Sequence, residues 1–472
     1  MIKKLLGYSM ATWLGALLSF VLLPVASNIY AADELGKINY YFSIINIIFT
    51  FVVLGLDQAY LRFYSEYDKD AQRSQFTKNM LFTVLFTVGV GLICLPFTPS
   101  IGVWLVGNNR IQIVPIIVLH IIGLTVTRYF VILFRLKSKL LEYTLLMLVN
   151  TVLLKCMYLA GYPFGKDAVT GITATALISI SLAGILFLIH RKELSFKNLT
   201  KVDENVKNEF KYAIPIIPAM VFAILNNNIP QIILRSKTSF SNIALYSIGV
   251  TIASTITLLH NGLNTFMEPY IFKNHKTEKK KIADILDLFT VAAYIICMLV
   301  ILVQDWFFLV FKRDYIISTR FLPFLLTSSL WYTLGDFYNI GVKIGKKTKD
   351  NIPIYIIGFT LNAILSLILI PILDCLGAAI SAATSSGLMS IMKAIKGNKY
   401  YKIIDSYKHL LSGAVVLLLV DIGNYLFWGN QIRYIFPICG ILIYVVYTRA
   451  ISNALRFIKK NRKLSELTTP EK

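Results

Sequence analysis

GLDQAYLRFY (residues 55–64) closes one long apolar segment, and GLNTFMEPYI (262–271) stands at a similar place in another, 207 residues later. GKINYYFSI, from Gly36, matches IALYSIGV, with Ala244 in the glycine's place, at an offset of 208. GITATALIS, from Gly171, matches GAAISAATS, from Gly377, at an offset of 206. Each match is short, but three at nearly one offset indicate an internal repeat, and a repeat constrains the whole architecture. What it means depends on how many membrane crossings one offset holds.

The 472 residues are 56% hydrophobic and only 15% charged, with a mean hydropathy of +0.66. Soluble domains carry about a quarter charged residues, so this composition belongs to a polytopic membrane protein. Segments long enough to cross the hydrocarbon core, which takes about 20 apolar residues, fall at roughly 8–30, 39–61, 79–104, 113–134, 140–162, 170–190, 212–234, 242–271, 283–304, 317–341, 352–373, 376–392, 409–428 and 434–451. The basic start MIKK resembles a signal peptide, but its apolar stretch is too long and no cleavage site ends it, so a retained first span is expected. The expected fold is all-α, with about 14 transmembrane helices.

With the N-terminus in the cytoplasm, 36 of the 47 Lys and Arg residues fall in cytoplasmic segments and 9 in outer ones. This is the positive-inside bias, and a missed span would invert it downstream. Both termini are therefore expected inside. The net charge of +22 becomes a matter of topology, with no nucleic acid needed to explain it. One repeat offset holds six spans, an even number, so both copies cross in the same sense. The expectation is two parallel-related six-helix lobes, residues 1–200 and 201–408, with spans 13 and 14 and a basic tail added over 409–472.

Arg128 and Lys155 stand inside spans 4 and 5, about 9 and 10 Å from the nearer span end at 1.5 Å per residue. Each side chain either snorkels or pairs structurally, or lines a cationic cavity. Asp57 is open to interface solvation or ion coupling. Asp336 is a candidate for coupling or substrate contact, with no evident partner. Asp421 lies in the added spans and suits a pair with a neighbour. His260 reads as a core histidine or a proton relay, and Glu268, before Pro269, as structural. Asn226, Asn227 and Asn228, followed by Pro230, suit a packed kink or a polar cavity wall. The five cysteines are scattered at positions suiting small core residues. The sequence has no metal-ligand spacing, P-loop or Ser/His/Asp arrangement, so neither a cofactor nor a metal is expected.

Leu54, Gly55, Leu56, Arg62 and Phe63 at the end of span 2, Pro24 in span 1, Pro215 and Pro218 in KYAIPIIPAM, and ALYSIG with Ala244 for the usual glycine make a recognisable series. In their order they resemble the polysaccharide or O-antigen (Wzx-type) flippases of the multidrug/oligosaccharidyl-lipid/polysaccharide exporter superfamily, over essentially the whole chain. NNNIPQIILR, Asn226 to Arg235, departs from the family, because many relatives carry an Asp-Arg pair late in span 7.

The resemblance implies movement of an undecaprenyl-pyrophosphate-linked oligosaccharide to the outer leaflet by alternating access, for O-antigen, capsule or exopolysaccharide synthesis. It also implies coupling to H+ or Na+, association with polysaccharide polymerase machinery, and residence in the bacterial cytoplasmic (inner) membrane. Arg128 and Lys155 would then be the cationic partners of the cargo, and Asp57, Asp336, Asn227 and His260 the coupling or cavity polar groups. The alternatives are a multidrug or cation exporter of the same superfamily and a membrane-embedded glycan polymerase or ligase. Such enzymes usually need a sizeable outer loop, and every loop here is short, so no enzymatic activity is expected.

Overall fold

In hydrocarbon, backbone N–H and C=O groups find no water, and a helix satisfies them within its own segment. The computed structural model describes residues 21–109, 112–137, 139–196, 204–256, 270–272, 274–345, 347–402 and 407–448, apart from the side chains of residues 140, 151–156 and 348. These residues are overwhelmingly helical. Nine helices among them are long and apolar enough to cross a membrane, and shorter apolar helices occur at Leu141–Asn150 and Phe240–Ala253. Large apolar side chains such as Leu85 (68% exposed) and Ile93 (72% exposed) point outward from them, as lipid-facing residues do.

The chain forms two compact units, one built from Met1–Ile248 with Tyr355–Ser381, the other from Gly249–Ile354 with Ala382–Lys472. In the first unit, Ile113–Leu136 packs against Ala168–Ile189 and Lys69–Cys94, and Ile217–Lys237 packs against Ala32–Val53. Tyr60, Phe76, Tyr129, Phe130 and Phe134 fill an aromatic core at one end of these helices. In the second, Lys279–Leu302 packs against Leu322–Tyr338, Lys408–Leu426 and Ile435–Thr448.

The second expected span does not run through as one helix. It is Ala32–Val53, then Leu54 and Gly55 with φ of 52° and 67°, then the separate helix Leu56–Phe63. Two left-handed residues in succession end a right-handed helix, and glycine takes the second position without steric cost. The expected boundary between spans 11 and 12 falls at Asp374, whose φ of 49° and ψ of −126° interrupt a helical stretch from Ile352 to Tyr400. That second helix continues to Tyr400 rather than ending at 392, which brings Lys393 out of the expected loop and into a helix.

Candidate functional site

The break at Leu54–Gly55 starts a new helix, and Asp57 sits in its first turn. A carboxylate there faces the positive end of the helix dipole. The Asp57 side chain is only 3% exposed. Its Oδ1 accepts the Gln58 backbone N–H at 2.8 Å, and its Oδ2 accepts the Gln58 amide at 2.9 Å. Arg128, on Ile113–Leu136, donates to the same Oδ2 from Nε at 3.1 Å and Nη2 at 2.9 Å. Arg128 remains 43% exposed, and its Nη1 takes no partner among the described residues. Two residues read separately from the sequence are thus one charged pair. Asp57 is held by a guanidinium rather than solvated at an interface, and Arg128 answers to a carboxylate rather than snorkelling freely.

A second charged pair lies in the other unit. Asp336, on Leu322–Tyr338, accepts from the Lys393 ammonium at 2.6 Å. Lys393 is 1% exposed and lies 4.7 Å from the Tyr332 ring centroid, a cation–π arrangement. The expectation that Asp336 lacks a partner is therefore corrected. Helix proximity makes this pair possible: a Cβ at Gly335 would lie 2.9 Å from Ser390 Cα, and one at Gly341 would strike the Gly397 carbonyl. Small residues let helices approach this closely in a membrane. The spacing of Gly335, Gly341, Ser390 and Gly397 was the signal that could have placed Lys393 in a helix. Arg128 and Asp336, which carry opposite charges, are 208 residues apart.

The asparagine run resolves by residue. Pro230 has no N–H to give the Asn226 carbonyl four residues earlier. Asn362 replaces it, its amide donating to that carbonyl at 2.8 Å and to Asn226 Oδ1 at 3.2 Å. Asn228 donates back to Ile224 O at 2.8 Å. Asn226 and Asn228 are buried while Asn227 is exposed.

Asp421 is fully buried and accepts from Thr327 Oγ1 at 2.7 Å, the neighbour expected of it. Lys155 lies on Leu140–Cys156, but outside the residues whose side chains are described. His260 and Glu268 lie outside the described residues.

Glu209 falls between the expected spans 170–190 and 212–234 and was not singled out from the sequence. It lies on Glu204–Ala213, fully buried, accepting from Tyr67 Oη and Asn79 Nδ2 at 2.9 Å each. The amphipathic pattern ENVKNEFKYA was its available signal.

A sequence model of the family described as polysaccharide biosynthesis protein matches residues 1–275. An uncharacterized membrane protein of Haemophilus influenzae is 21% identical over 322 residues, covering 66% of this chain and 76% of its own. Among solved structures, the lipid II flippase MurJ in an inward closed conformation is similar with a TM-score of 0.68 at 16% identity, over 94% of this chain and 99% of that one. An inward-facing MATE-family multidrug resistance transporter of the MOP superfamily is similar with a TM-score of 0.57 at 12% identity, over 81% of this chain and 93% of that one. The fold is that of the MurJ and MATE structures.

Proposed function

The chain belongs to the polysaccharide biosynthesis protein family, and from that premise we propose that it is a flippase. Its cargo is an undecaprenyl-pyrophosphate-linked oligosaccharide, carried from the cytoplasmic to the outer leaflet of a bacterial inner membrane by alternating access. The observation that carries the reading is the likeness of fold to a lipid II flippase along nearly the full length of both chains.

The charged pair gives that reading a chemical role. A diphosphate needs cationic hydrogen-bond donors inside the bilayer, and a guanidinium offers a planar fork to phosphate oxygens. Asp57 holds one side of the Arg128 fork, which leaves Nη1 for a ligand. Fixing the guanidinium in advance reduces the ordering cost of binding. Lys155 is the second cargo cation in this reading, and Asp336, tied to Lys393, is the group that answers to an H+ or Na+ gradient.

A multidrug or cation exporter is the second reading, favoured by the fold shared with the MATE transporter. It needs a carboxylate available to a cationic drug, and Asp57 is already neutralised by Arg128.

The test uses a strain with no other flippase. Deletion should leave lipid-linked oligosaccharide on the cytoplasmic leaflet and abolish the surface polymer, and unchanged surface polymer sinks the proposal. Proteoliposomes carrying a defined lipid-linked glycan separate the two readings. Leaflet transfer of the glycan supports the flippase, and cation efflux without glycan transfer supports the exporter.

A further inference from the structure

A cavity of about 330 Å³ lies at one end of the first unit, where Tyr60, Tyr64, Lys69, Arg73, Lys137 and Glu193 meet. One water needs only about 10–15 Å³ by the same measure, so the space exceeds what a single ion requires. Gln72 builds one wall, its amide donating at 3.1 Å to the backbone carbonyls of both Tyr64 and Tyr67. The Tyr60 hydroxyl donates at 3.3 Å to the Gln72 carbonyl. The cavity is thus bounded by fastened structure.

Its charge is unbalanced. Lys69 and Arg73 stand one turn apart on Lys69–Cys94, a spacing at which like charges repel. Neither has a carboxylate partner among the described residues. Lys137, at the end of Ile113–Leu136, is the third cation, and among the described residues Glu193 is the only carboxylate lining the cavity, engaged with Lys137. Three cations against one anion leave a net charge of +2. Such an arrangement is relieved when an anion sits between the cations.

We propose that this cavity binds a phosphate ester, with Arg73 and Lys69 holding the phosphate oxygens and the half-buried Tyr64 ring flanking the esterified group. Glu193 acts as a built-in competitor: it occupies Lys137 until a phosphate displaces it. The ester comes either from a soluble phosphometabolite or from a phospholipid headgroup. The site is separate from the Arg128–Asp57 pair, since Lys137 is nine residues beyond Arg128, about 13 Å along the helix. It stands whether or not the cargo proposed above is correct.

Purified full-length protein in detergent is titrated calorimetrically with glycerol 3-phosphate and with dihexanoyl phosphatidylglycerol. Wild type should bind at least one of them saturably, less tightly as salt rises. Arg73→Gln should weaken binding about tenfold, the loss of one charge-assisted hydrogen bond. Glu193→Gln should tighten it, because it frees Lys137 and removes the repelling charge. A merely structural Glu193 predicts no such gain. Binding of the soluble ester alone supports the proposal and identifies a free phosphate source, whereas binding of the lipid identifies a headgroup. Binding of neither, an unchanged affinity in Arg73→Gln, or no gain in Glu193→Gln overturns it. Unfolding midpoints of both variants are measured alongside, and because Arg73 is exposed its variant should match wild type.

Discussion

The Asp57 carboxylate is buried and its charge is met by one guanidinium. Removing a single partner from such a pair leaves an uncompensated buried charge, which costs more than the pair contributes. Arg128→Gln should therefore destabilise the protein by about 1–3 kcal/mol, and adding Asp57→Asn should recover most of that loss. Unfolding midpoints of both single variants and the double variant measure the coupling, and additive losses would show that the two residues do not act on each other. Transport separates stability from function: if Arg128 meets the cargo, the double variant should be stable and inactive. The sequence marked both residues, because an ion among apolar side chains is conspicuous. It hid their pairing, because 71 residues separate them. Lys393 was hidden for another reason. It follows an apolar run and reads as a loop cation, and only the close crossing of Gly335 with Ser390 shows that a carboxylate awaits it.

At the scale of elements, hydrophobic length located the helices well and their interruptions poorly. Each apolar segment with described residues falls on a helix, because lipid leaves the backbone little alternative. Interruptions depend on single dihedral angles, which periodicity does not encode. At Asp374 the gap between spans 11 and 12 marked the break, but not its form, a φ of 49° at that residue. For a residue with a Cβ, this region costs of order 1 kcal/mol. Asp374 is exposed and so has little packing to lose. Asp374→Gly should then raise the unfolding midpoint, by about 1 kcal/mol of stability. A lowered midpoint would mean that its carboxylate holds the hairpin through a contact worth more than the strain.

At the scale of the whole molecule, the charge bias remains the argument for orientation. Cysteines introduced at Lys37, Lys166 and Arg433 should react with an impermeant reagent from outside, and those at Lys201, Lys279 and Lys463 only from the cytoplasm. Cys439 is exposed and must be replaced first. Outside labelling at Lys279 or Lys463 would show that a span has been miscounted. The repeat is an expectation from three short sequence matches, at offsets of 206, 207 and 208. Arg128 and Asp336, 208 residues apart, carry opposite charges and meet different partners, Asp57 and Lys393.

The left-handed pair at Leu54 and Gly55 also settles a question of length. An unbroken rod from Ala32 to Phe63 would measure about 48 Å at 1.5 Å per residue, against a hydrocarbon thickness of about 30 Å. A straight helix of that length would have to tilt steeply or thicken the bilayer around it, the familiar forms of hydrophobic mismatch. By stopping after Val53 and restarting at Leu56, the chain gives the bilayer a rod of about 33 Å and makes the remainder a separate short helix. Two residues with positive φ thus act as a thickness gauge, fitting a long amphiphilic segment to a membrane it would otherwise overrun.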